Sequence, residues 1–330
     1  MPEIKNILIR LPNWLGDMVM ATAFVKAVKH EFPAATVDLI AKKGVDFLLD
    51  HFPAHDRRYI FSKQEYKGWR GARKFGKQIR KEKQYDLFFC LPDSVSAAAM
   101  GNAVKAKKSV GFKKNINFFL FTNVYKRSKG IHRVEEYTNL LEQYLKKKIS
   151  ITEVSLSSPG PQKNESLVIN INSEASSRKL PKEKAIGIIN RIREKIPNEI
   201  ILVGSPGEKE FVDEVFMSLA NKGSITNLAG KTSLPDLVNL FASCKAVLST
   251  DSGPAHVSNA LGINTVILFG AGNENNTAPY NKANRTIIRL GKLPCEPCTD
   301  NICKIYGKPQ CLLQLDENII AEAVSSQLNK

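Results

Sequence analysis

Two polar segments stand at the ends of apolar runs, where side chains of a folded α/β protein can do chemistry. The first, Arg10–Asp17, lies between the apolar run Asn6–Leu11 and the helix-like stretch Met18–Glu31. A carboxylate at Asp17 can remove a proton from a hydroxyl substrate. A helix N-terminus would keep that carboxylate ionised and weakly basic. The same position suits an N-cap that accepts a backbone N–H, and the pattern leaves both roles open.

The second segment, Ser249–His256, follows another apolar run and opens a helix. Hydroxyls, a glycine and a histidine at a helix N-terminus supply donors without a steric barrier, as in many phosphate sites. A helix that is merely capped, with Pro254 in its first turn, is the alternative. Because all these features occur together, we favour ligand binding through Thr250, Asp251, Ser252, Gly253 and His256.

Two further strand exits carry groups that suit a nucleotide. Residues Asn172–Pro181 offer hydroxyls, including Ser173, and the cation Arg178 beside a helix start. That combination suits a diphosphate, although a polar loop explains it better when it is taken alone. Glu208 follows the run that ends at Val203, a position from which carboxylates bind ribose hydroxyls in other nucleotide folds.

Four cysteines follow the last predicted strand at C-x2-C-x4-C-x7-C spacing: Cys295, Cys298, Cys303 and Cys311. Thiolates this close in sequence bind zinc or an iron–sulfur cluster. The spacing is not the usual paired zinc-knuckle pattern, so a structural loop of thiols competes with the metal site. No other segment suggests a cofactor, and cations and helix dipoles can replace Mg²⁺ at a diphosphate.

The elements that position these segments alternate between short apolar runs and amphipathic stretches of helical length. This alternation predicts parallel βαβ units with helices on both faces of each sheet. The pattern pauses at the Ser-, Pro- and Gly-containing stretch Glu153–Ser166 and then restarts. We therefore expect an α/β fold with two Rossmann-like doubly wound domains, residues 1–155 and 156–330, facing a cleft. A final helix, 316–330, is placed to pack back on the first domain.

The net charge of +16 is concentrated in the first half of the chain. Residues 1–150 carry a charge of +15 and residues 151–330 carry +1. A field of this kind attracts an anionic membrane, a phosphorylated substrate or nucleic acid. A nucleic-acid binder should interleave aromatic and basic residues on a platform or show a helix-turn-helix, and a dinucleotide oxidoreductase should show GxGxxG. The sequence shows none of these, so we expect no nucleic-acid partner.

No apolar run approaches the ~20 residues that span a bilayer, and the first residues lack the pattern of a signal peptide. The sequence therefore predicts a cytoplasmic protein.

Four segments together carry a family resemblance: Ile7–Met18, Leu91–Ala98, Thr250–Val257 and Thr265–Gly270. They resemble the lipopolysaccharide heptosyltransferases of glycosyltransferase family 9. The stretches Pro12–Trp14 and Leu91–Ser94 are more similar to the heptosyltransferase II branch. The cysteine spacing also resembles one seen in many members, so the similarity extends over the whole chain.

This resemblance implies a GT-B fold and an inverting transfer of heptose from ADP-heptose to the lipopolysaccharide inner core, with no required cofactor. Asp17 matches the family's proposed base. The C-terminal domain would bind the donor through Ser173, Arg178, Glu208, Thr250, Asp251, Ser252, Gly253 and His256. The N-terminal domain would bind an anionic lipid-linked acceptor, with contacts expected from Asn13, Trp14, Ser94, Lys113, Lys114 and Arg133.

The basic clusters Lys67–Lys83 and Lys105–Arg133 would bring the enzyme to the inner face of the inner membrane as a peripheral protein. Two departures from many members concern the donor: Asn172–Ser173 stands where they have Pro-Gly, and Leu180 where they have Trp. A family 9 transferase with another nucleotide sugar or acceptor is therefore the alternative, with a basic nucleic-acid-binding protein ranked below it.

Overall fold

The computed structural model describes residues 3–114, 119–150, 153–158 and 162–330. The chain divides into two compact units, Met1–Leu156 and Ser157–Lys330, called unit 1 and unit 2 below. Part of the predicted linker and of the cluster Lys105–Arg133 lies outside the described residues.

Unit 1 is built on a parallel sheet in the order β3-β2-β1-β4-β5-β6. Its elements along the chain are β1 (Asn6–Arg10), α1 (Leu15–Met20), α2 (Thr22–Glu31), β2 (Thr36–Lys42), β3 (Arg58–Phe61), α3 (Gly68–Glu82), β4 (Leu87–Cys90), α4 (Val95–Val104), β5 (Lys108–Phe112), β6 (Asn123–Tyr125) and α5 (Arg133–Leu145). Between β2 and β3, residues Asp46–His51 form a short 3₁₀ helix. Strand β6 was not predicted, because it has three half-buried residues within a basic loop.

Unit 2 repeats this arrangement with the sheet order β12-β11-β10-β7-β8-β9. Its elements are β7 (Leu167–Asn170), α6 (Lys182–Lys195), β8 (Ile200–Val203), α7 (Lys209–Met217), β9 (Ile225–Asn227), α8 (Leu234–Ser243), β10 (Ala246–Thr250), α9 (Gly253–Ala260), β11 (Asn264–Phe269), α10 (Glu274–Thr277), β12 (Arg285–Arg289), α11 (Gln310–Leu313) and α12 (Glu317–Leu328). In each unit the first strand pairs with the fourth, β1 with β4 and β7 with β10, and all these pairings are parallel. The prediction of two doubly wound parallel sheets is confirmed.

The middle of each central strand is a continuous apolar run because helices cover both faces of each sheet. Ile7, Leu8 and Ile9 of β1 are fully buried, as are Leu87 and Phe88 of β4. Each buried side chain of this size stabilises the fold by about 1.5–3 kcal/mol. These cores fix the strand ends, from which the polar segments of the sequence emerge.

The final helix, α12, packs on α6 and β11 of its own unit. Its residues Ile320, Ala321, Val324 and Leu328 belong to the apolar core of unit 2. The helix therefore belongs to the core of unit 2, and its packing on the N-terminal domain stays a prediction. Among the described residues, no helix combines the length and apolar character needed to cross a bilayer.

Candidate active site

Asp17 lies in the first turn of α1, just beyond the carboxyl end of β1. The N-cap of this helix is Trp14, whose side chain makes no capping hydrogen bond. Asp17 is therefore not the cap, and that alternative is wrong. Its side chain is 26% exposed, so its carboxylate can meet a substrate hydroxyl.

The electrostatic surroundings make Asp17 a stronger base than its position in the helix suggests. Burial raises the pKa of the Asp17 carboxyl, Arg133 and Arg127 lower it, and Asp93 raises it again. The net pKa lies above the usual range because burial outweighs the two cations. The expectation of a weakly basic carboxylate is therefore wrong. A raised pKa favours proton removal from an alcohol, provided that the group is still ionised at the working pH.

Two arginines are held beside Asp17 by one buried glutamate. Nε of Arg133 lies 3.6 Å from Oδ1 of Asp17, and Nη1 of Arg133 donates to Oε2 of Glu136 at 2.9 Å. The same oxygen accepts from Nη1 of Arg127 at 3.2 Å. Arg127 also covers the ring of Phe112, 4.4 Å from its centroid. The cluster places two fixed guanidinium groups near a base, which suits an acceptor that carries a carboxylate or phosphate.

The loop between β1 and α1 contains two other predicted acceptor residues. Oδ1 of Asn13 accepts from Nη2 of the buried Arg10 at 2.5 Å, so Arg10 fixes the loop. Trp14 is 59% exposed, and Nζ of Lys42 lies 6.0 Å from its ring centroid. An exposed indole beside a base is a suitable surface for a sugar ring.

The remaining acceptor candidates lie at the ends of β4 and β5. Ser94 is the N-cap of α4, and its Oγ accepts from the backbone N–H of Ala97 at 3.3 Å. Nζ of Lys114 donates to Asp93 at 2.9 Å. The backbone N–H of Lys113 donates to the carbonyl of Tyr125 at 2.8 Å, which continues the β5–β6 pairing. Ser94 and Lys114 thus have structural partners, and contact with an acceptor remains a prediction for all three residues.

In unit 2 a carboxylate also stands at the end of a central strand: Asp251 follows β10 and is only 4% exposed. Its Oδ2 lies 3.4 Å from Nη1 of Arg178 and has no hydrogen-bond donor within the described part of the chain. Burial raises the pKa of Asp251, Arg178 and Arg289 lower it, and Glu274 raises it. A Cβ atom at Gly272 would overlap the Asp251 carboxylate, so a larger residue there would have to displace it.

Hydroxyl and amide groups connect the segments at the carboxyl ends of β7 and β10. We call these two segments, residues 170–173 and 250–252, the cradle. Nδ2 of Asn170 donates to Oγ of Ser252 at 3.0 Å, and Oγ1 of Thr250 donates to the carbonyl of Asn172 at 2.5 Å. Oγ of Ser173 donates to the carbonyl of Asp251 at 3.5 Å. The structure therefore brings together Ser173, Arg178 and the start of the Thr250–His256 segment.

The start of helix α9 has the features of an anion site. Ser252 is its N-cap, but the hydroxyl makes no capping hydrogen bond, and Gly253 is its first residue. The N–H groups at a helix N-terminus attract negative charge. His256 lies one turn further along and is buried. This arrangement, together with Arg178, suits a diphosphate.

Glu208 has a local partner outside this cradle. Its Oε2 accepts from both the backbone N–H and Oγ of Ser205, each at 2.8 Å. The glutamate thereby closes the turn after β8, and its contact with a ribose stays a prediction.

The cysteine segment braces the loop that carries Arg178. Oγ of Ser177 donates to the carbonyl of Asp300 at 2.5 Å, and the backbone N–H of Ser177 donates to that of Asn301 at 3.2 Å. Oγ of Ser176 also donates to Asn301, at 3.2 Å. The cysteine segment therefore holds the loop that carries Arg178 in place.

The four cysteines of the predicted metal site lie close together in unit 2. Cys295, Cys298, Cys303 and Cys311 line one small cavity, but in the described residues no three His, Cys, Asp or Glu side chains are grouped to hold a metal ion. Cys311 packs against the core beside Gly270, and burial raises its pKa to about 11. The metal site and the structural loop of thiols both stay predictions.

The two clusters occupy the same topological position. Asp17 and Asp93 follow the neighbouring strands β1 and β4, whereas Asn172 and Asp251 follow β7 and β10. These are the switch points of the two sheets, where helices from successive connections lie on opposite faces and leave a crevice at the carboxyl ends.

Several residues of these clusters were missed or given no role by sequence reasoning. Arg127 and Glu136 are hidden among the charges of a basic loop and an amphipathic helix. Arg289 braces the turn after β11, with Nη1 donating to the carbonyl of Gly270 at 2.9 Å. Of these residues, only Arg10 carried a sequence signal, because it is a charged residue at the end of an apolar strand.

Comparison with known proteins agrees with this geometry. The sequence model of glycosyltransferase family 9 (heptosyltransferase) matches residues 72–308. The chain belongs to glycosyltransferase family 9. It is therefore a glycosyltransferase, and the resemblance found in the sequence is confirmed.

Relatives within family 9 cover nearly the whole chain. Lipooligosaccharide heptosyltransferase 2 of Campylobacter jejuni subsp. jejuni serotype O:6 is 26% identical, with 97% of this chain and 98% of that protein aligned. The structure of E. coli ADP-heptose lps heptosyltransferase II has a TM-score of 0.79 at 23% identity and 98% coverage of both chains. The family 9 glycosyl transferase of Veillonella parvula DSM 2008 gives 0.83 at 17% identity, covering 100% of this chain and 99% of that one. These two structures establish the shared GT-B fold.

Proposed function

We propose that this chain is an inverting glycosyltransferase that moves a heptose from ADP-heptose to the lipopolysaccharide inner core. The observation that carries the proposal is the complementary chemistry of the two switch points in a family 9 protein. Unit 1 places a raised-pKa carboxylate beside two arginines, and unit 2 places hydroxyls, a helix N-terminus and Arg178 around Asp251. A base can remove the proton of a hydroxyl acceptor, and the cradle can bind a diphosphate leaving group.

The donor and acceptor identities are drawn from relatives. A structural neighbour from E. coli is named as an ADP-heptose lps heptosyltransferase II, and the Campylobacter jejuni relative as a lipooligosaccharide heptosyltransferase 2. In unit 1, Arg133 and Arg127 provide cations for the anionic groups of such an acceptor.

The mechanism is a single displacement at the anomeric carbon of the donor sugar. The acceptor hydroxyl oxygen forms the new C–O bond while its proton passes to Asp17. The bond between the anomeric carbon and the diphosphate oxygen breaks, and the nucleoside diphosphate leaves with the electron pair. Arg178 and the N–H groups at the start of α9 stabilise the charge that develops on that oxygen. Attack from the opposite face inverts the anomeric configuration.

Calorimetry with ADP-heptose, UDP-sugars and GDP-sugars tests the donor assignment. We expect ADP-heptose to bind at least ~10-fold more tightly than the others, because a nucleotide site leaves polar groups unpaired when the base is wrong. Arg178→Gln should weaken binding by about 10-fold or more through the loss of a charged hydrogen bond. Lys282→Gln, at an exposed cation of unit 2, is the matched control. Tighter binding of a UDP- or GDP-sugar would support the alternative of a family 9 transferase with another donor.

A further inference from the structure

Arg10, the last residue of β1, is a buried cation that has no opposite charge beside it. Its side chain is 2% exposed, and burial lowers its pKa to about 10, so it remains charged at neutral pH. The other acidic residues that are buried in the described part of the chain, Asp38, Glu136 and Asp251, each have a cationic partner. Burying an unpaired charge destabilises a fold, which indicates that Arg10 is retained for its contacts.

The guanidinium of Arg10 connects the carboxyl ends of three strands. Nη1 donates to the backbone carbonyl of Leu11 and, at 3.3 Å, to that of Ile40 in β2. Nη2 donates to Oδ1 of Asn13 at 2.5 Å, and the guanidinium carbon lies 5.7 Å from the ring centroid of Phe61 at the end of β3. The planar fork of an arginine can make these contacts at once, whereas an apolar side chain of similar length can donate to none of the oxygens.

These contacts fix residues 11–14, which lead from β1 into α1. The side chain of Asn13 makes its one hydrogen bond within the described residues to Arg10. The next residue, Trp14, is the N-cap of α1, but its side chain makes no capping hydrogen bond. The backbone carbonyl of Trp14 accepts from the N–H of Met18 at 2.8 Å, so the first turn of α1 follows the position of Trp14. Arg10 therefore holds the start of the helix from below.

The placement of Asp17, in that first turn, depends on this support. Its carboxylate accepts no hydrogen bond from the described residues, and its ion-pair partner Arg133 lies 3.6 Å away. The backbone of α1 therefore largely sets where the carboxylate lies. Because a displacement of about 1 Å at a reacting group can lower a rate by ~100-fold, a small rotation of α1 is enough to impair proton removal.

We infer that Arg10 is a positioning residue for the base Asp17. Its guanidinium holds residues 11–14 in one conformation, and this conformation sets the direction in which α1 presents the Asp17 carboxylate. The inference rests on the role of Asp17 in the proposed function. It explains why a cation occupies a place beside Ile40 and Phe61, which belong to the apolar core of unit 1.

Two substitutions of Arg10 should rank in opposite orders for stability and for turnover. Arg10→Met removes the charge and its hydrogen bonds, so we expect a Tm equal to or above that of the wild type but a kcat at least ~10-fold lower. Arg10→Lys should have a lower Tm than Arg10→Met, because a buried ammonium loses more hydration. Its kcat should be at least ~3-fold above that of Arg10→Met, because the ammonium can still donate to Asn13.

Arg193→Met is the matched control in unit 2. The guanidinium of Arg193 also donates to backbone carbonyls, including that of Asn198 at 2.8 Å, but it lies at the end of α6 that precedes β8. Its kcat should stay within about twofold of the wild type. The donor Kd should also change by less than about twofold in both Arg10 variants, because the cradle lies in unit 2.

Trp14 reports on the order of residues 11–14 without any substrate. The chain has two tryptophans, so in Trp69→Phe the sole indole is Trp14. In that background Arg10→Met should increase the amplitude of the nanosecond anisotropy decay by at least ~2-fold. Asn13→Ala removes the same contact from its other end and should have the same effect, which keeps the test available if Arg10→Met does not fold.

A kcat that follows the Tm across the two Arg10 variants would overturn the inference, and so would an unchanged anisotropy decay of Trp14. The fluorescence measurement needs neither donor nor acceptor, so its result is independent of the proposed function. A wild type that transfers a sugar other than heptose would contradict the proposed function, and the order of the Arg10 variants would then be measured with that sugar.

Discussion

Unit 1 and unit 2 each place a carboxylate at the switch point of the same sheet topology, but on different strands and with different exposure to solvent. Asp17 and Asp251 each face an arginine, at 3.6 Å and 3.4 Å, and burial raises the pKa of both. Asp17 remains 26% exposed, whereas Asp251 is 4% exposed and is pressed against Gly272. Topology thus provides the position, and local packing decides whether the carboxylate can exchange a proton or can only orient its neighbours.

The difference also separates the roles of the two arginines. Arg133 is shared between Asp17 and Glu136, so its charge tunes a base. Arg178 belongs to a loop whose adjacent serines are hydrogen-bonded to Asp300 and Asn301, so its charge is aimed at the cradle. Changes in unit 1 should therefore affect turnover and its pH dependence, and changes in unit 2 should affect donor affinity.

The largest effect should come from Asp17→Asn. We expect kcat to fall by at least ~100-fold, because the general base is lost, while the donor Kd stays within about twofold. Steady-state kinetics and calorimetry measure the two quantities. Asp50→Asn, at an exposed carboxylate of unit 1 paired with Arg58, is the control. Normal turnover in Asp17→Asn would remove this residue from the role of base.

Gly272→Ala should weaken donor binding by about 10- to 100-fold, because the new methyl group must displace the Asp251 carboxylate. Turnover at saturating donor should change far less. Gly207→Ala is the matched control, since a Cβ atom there meets no other atom within 4 Å. Equal donor affinity in the two variants would mean that the orientation of Asp251 does not matter for the donor.

Arg133→Gln should move the acidic limb of the kcat–pH profile to higher pH. Arg133 lowers the pKa of Asp17, so its removal raises that pKa further. Asp17 acts only when it is ionised; the variant should therefore lose activity at low pH and recover it as the pH rises. Arg58→Gln, an exposed arginine of unit 1, provides the control profile. An unshifted limb would show that another group sets it.

The smallest effect should come from chelation. Because the described residues show no group of three side chains placed to hold a metal ion, dialysis against EDTA should leave donor affinity and turnover within about twofold. Elemental analysis of the purified protein should find zinc and iron well below one atom per chain. A stoichiometric metal whose removal weakens donor binding would restore the cysteine segment as a metal site.

Most of the fold could be predicted because it is encoded in neighbouring residues. Strands such as Asn264–Phe269 and helices such as Leu234–Ser243 appear as continuous apolar runs or helical periodicities. The polar exits at Asp17 and Ser249–His256 were visible because they interrupt that pattern. Strand β6 was not predicted from the sequence, because three half-buried residues among cations show no periodicity.

By itself the sequence determined the order of the elements, the two doubly wound sheets and the strand exits that carry Asp17 and Asp251. Only the tertiary structure decided that Glu136 holds Arg127 and Arg133, that burial raises the pKa of Asp17, and that the four cysteines line one cavity. Periodicity is a property of adjacent residues, whereas desolvation and charge pairing depend on which distant segments the sheet brings together.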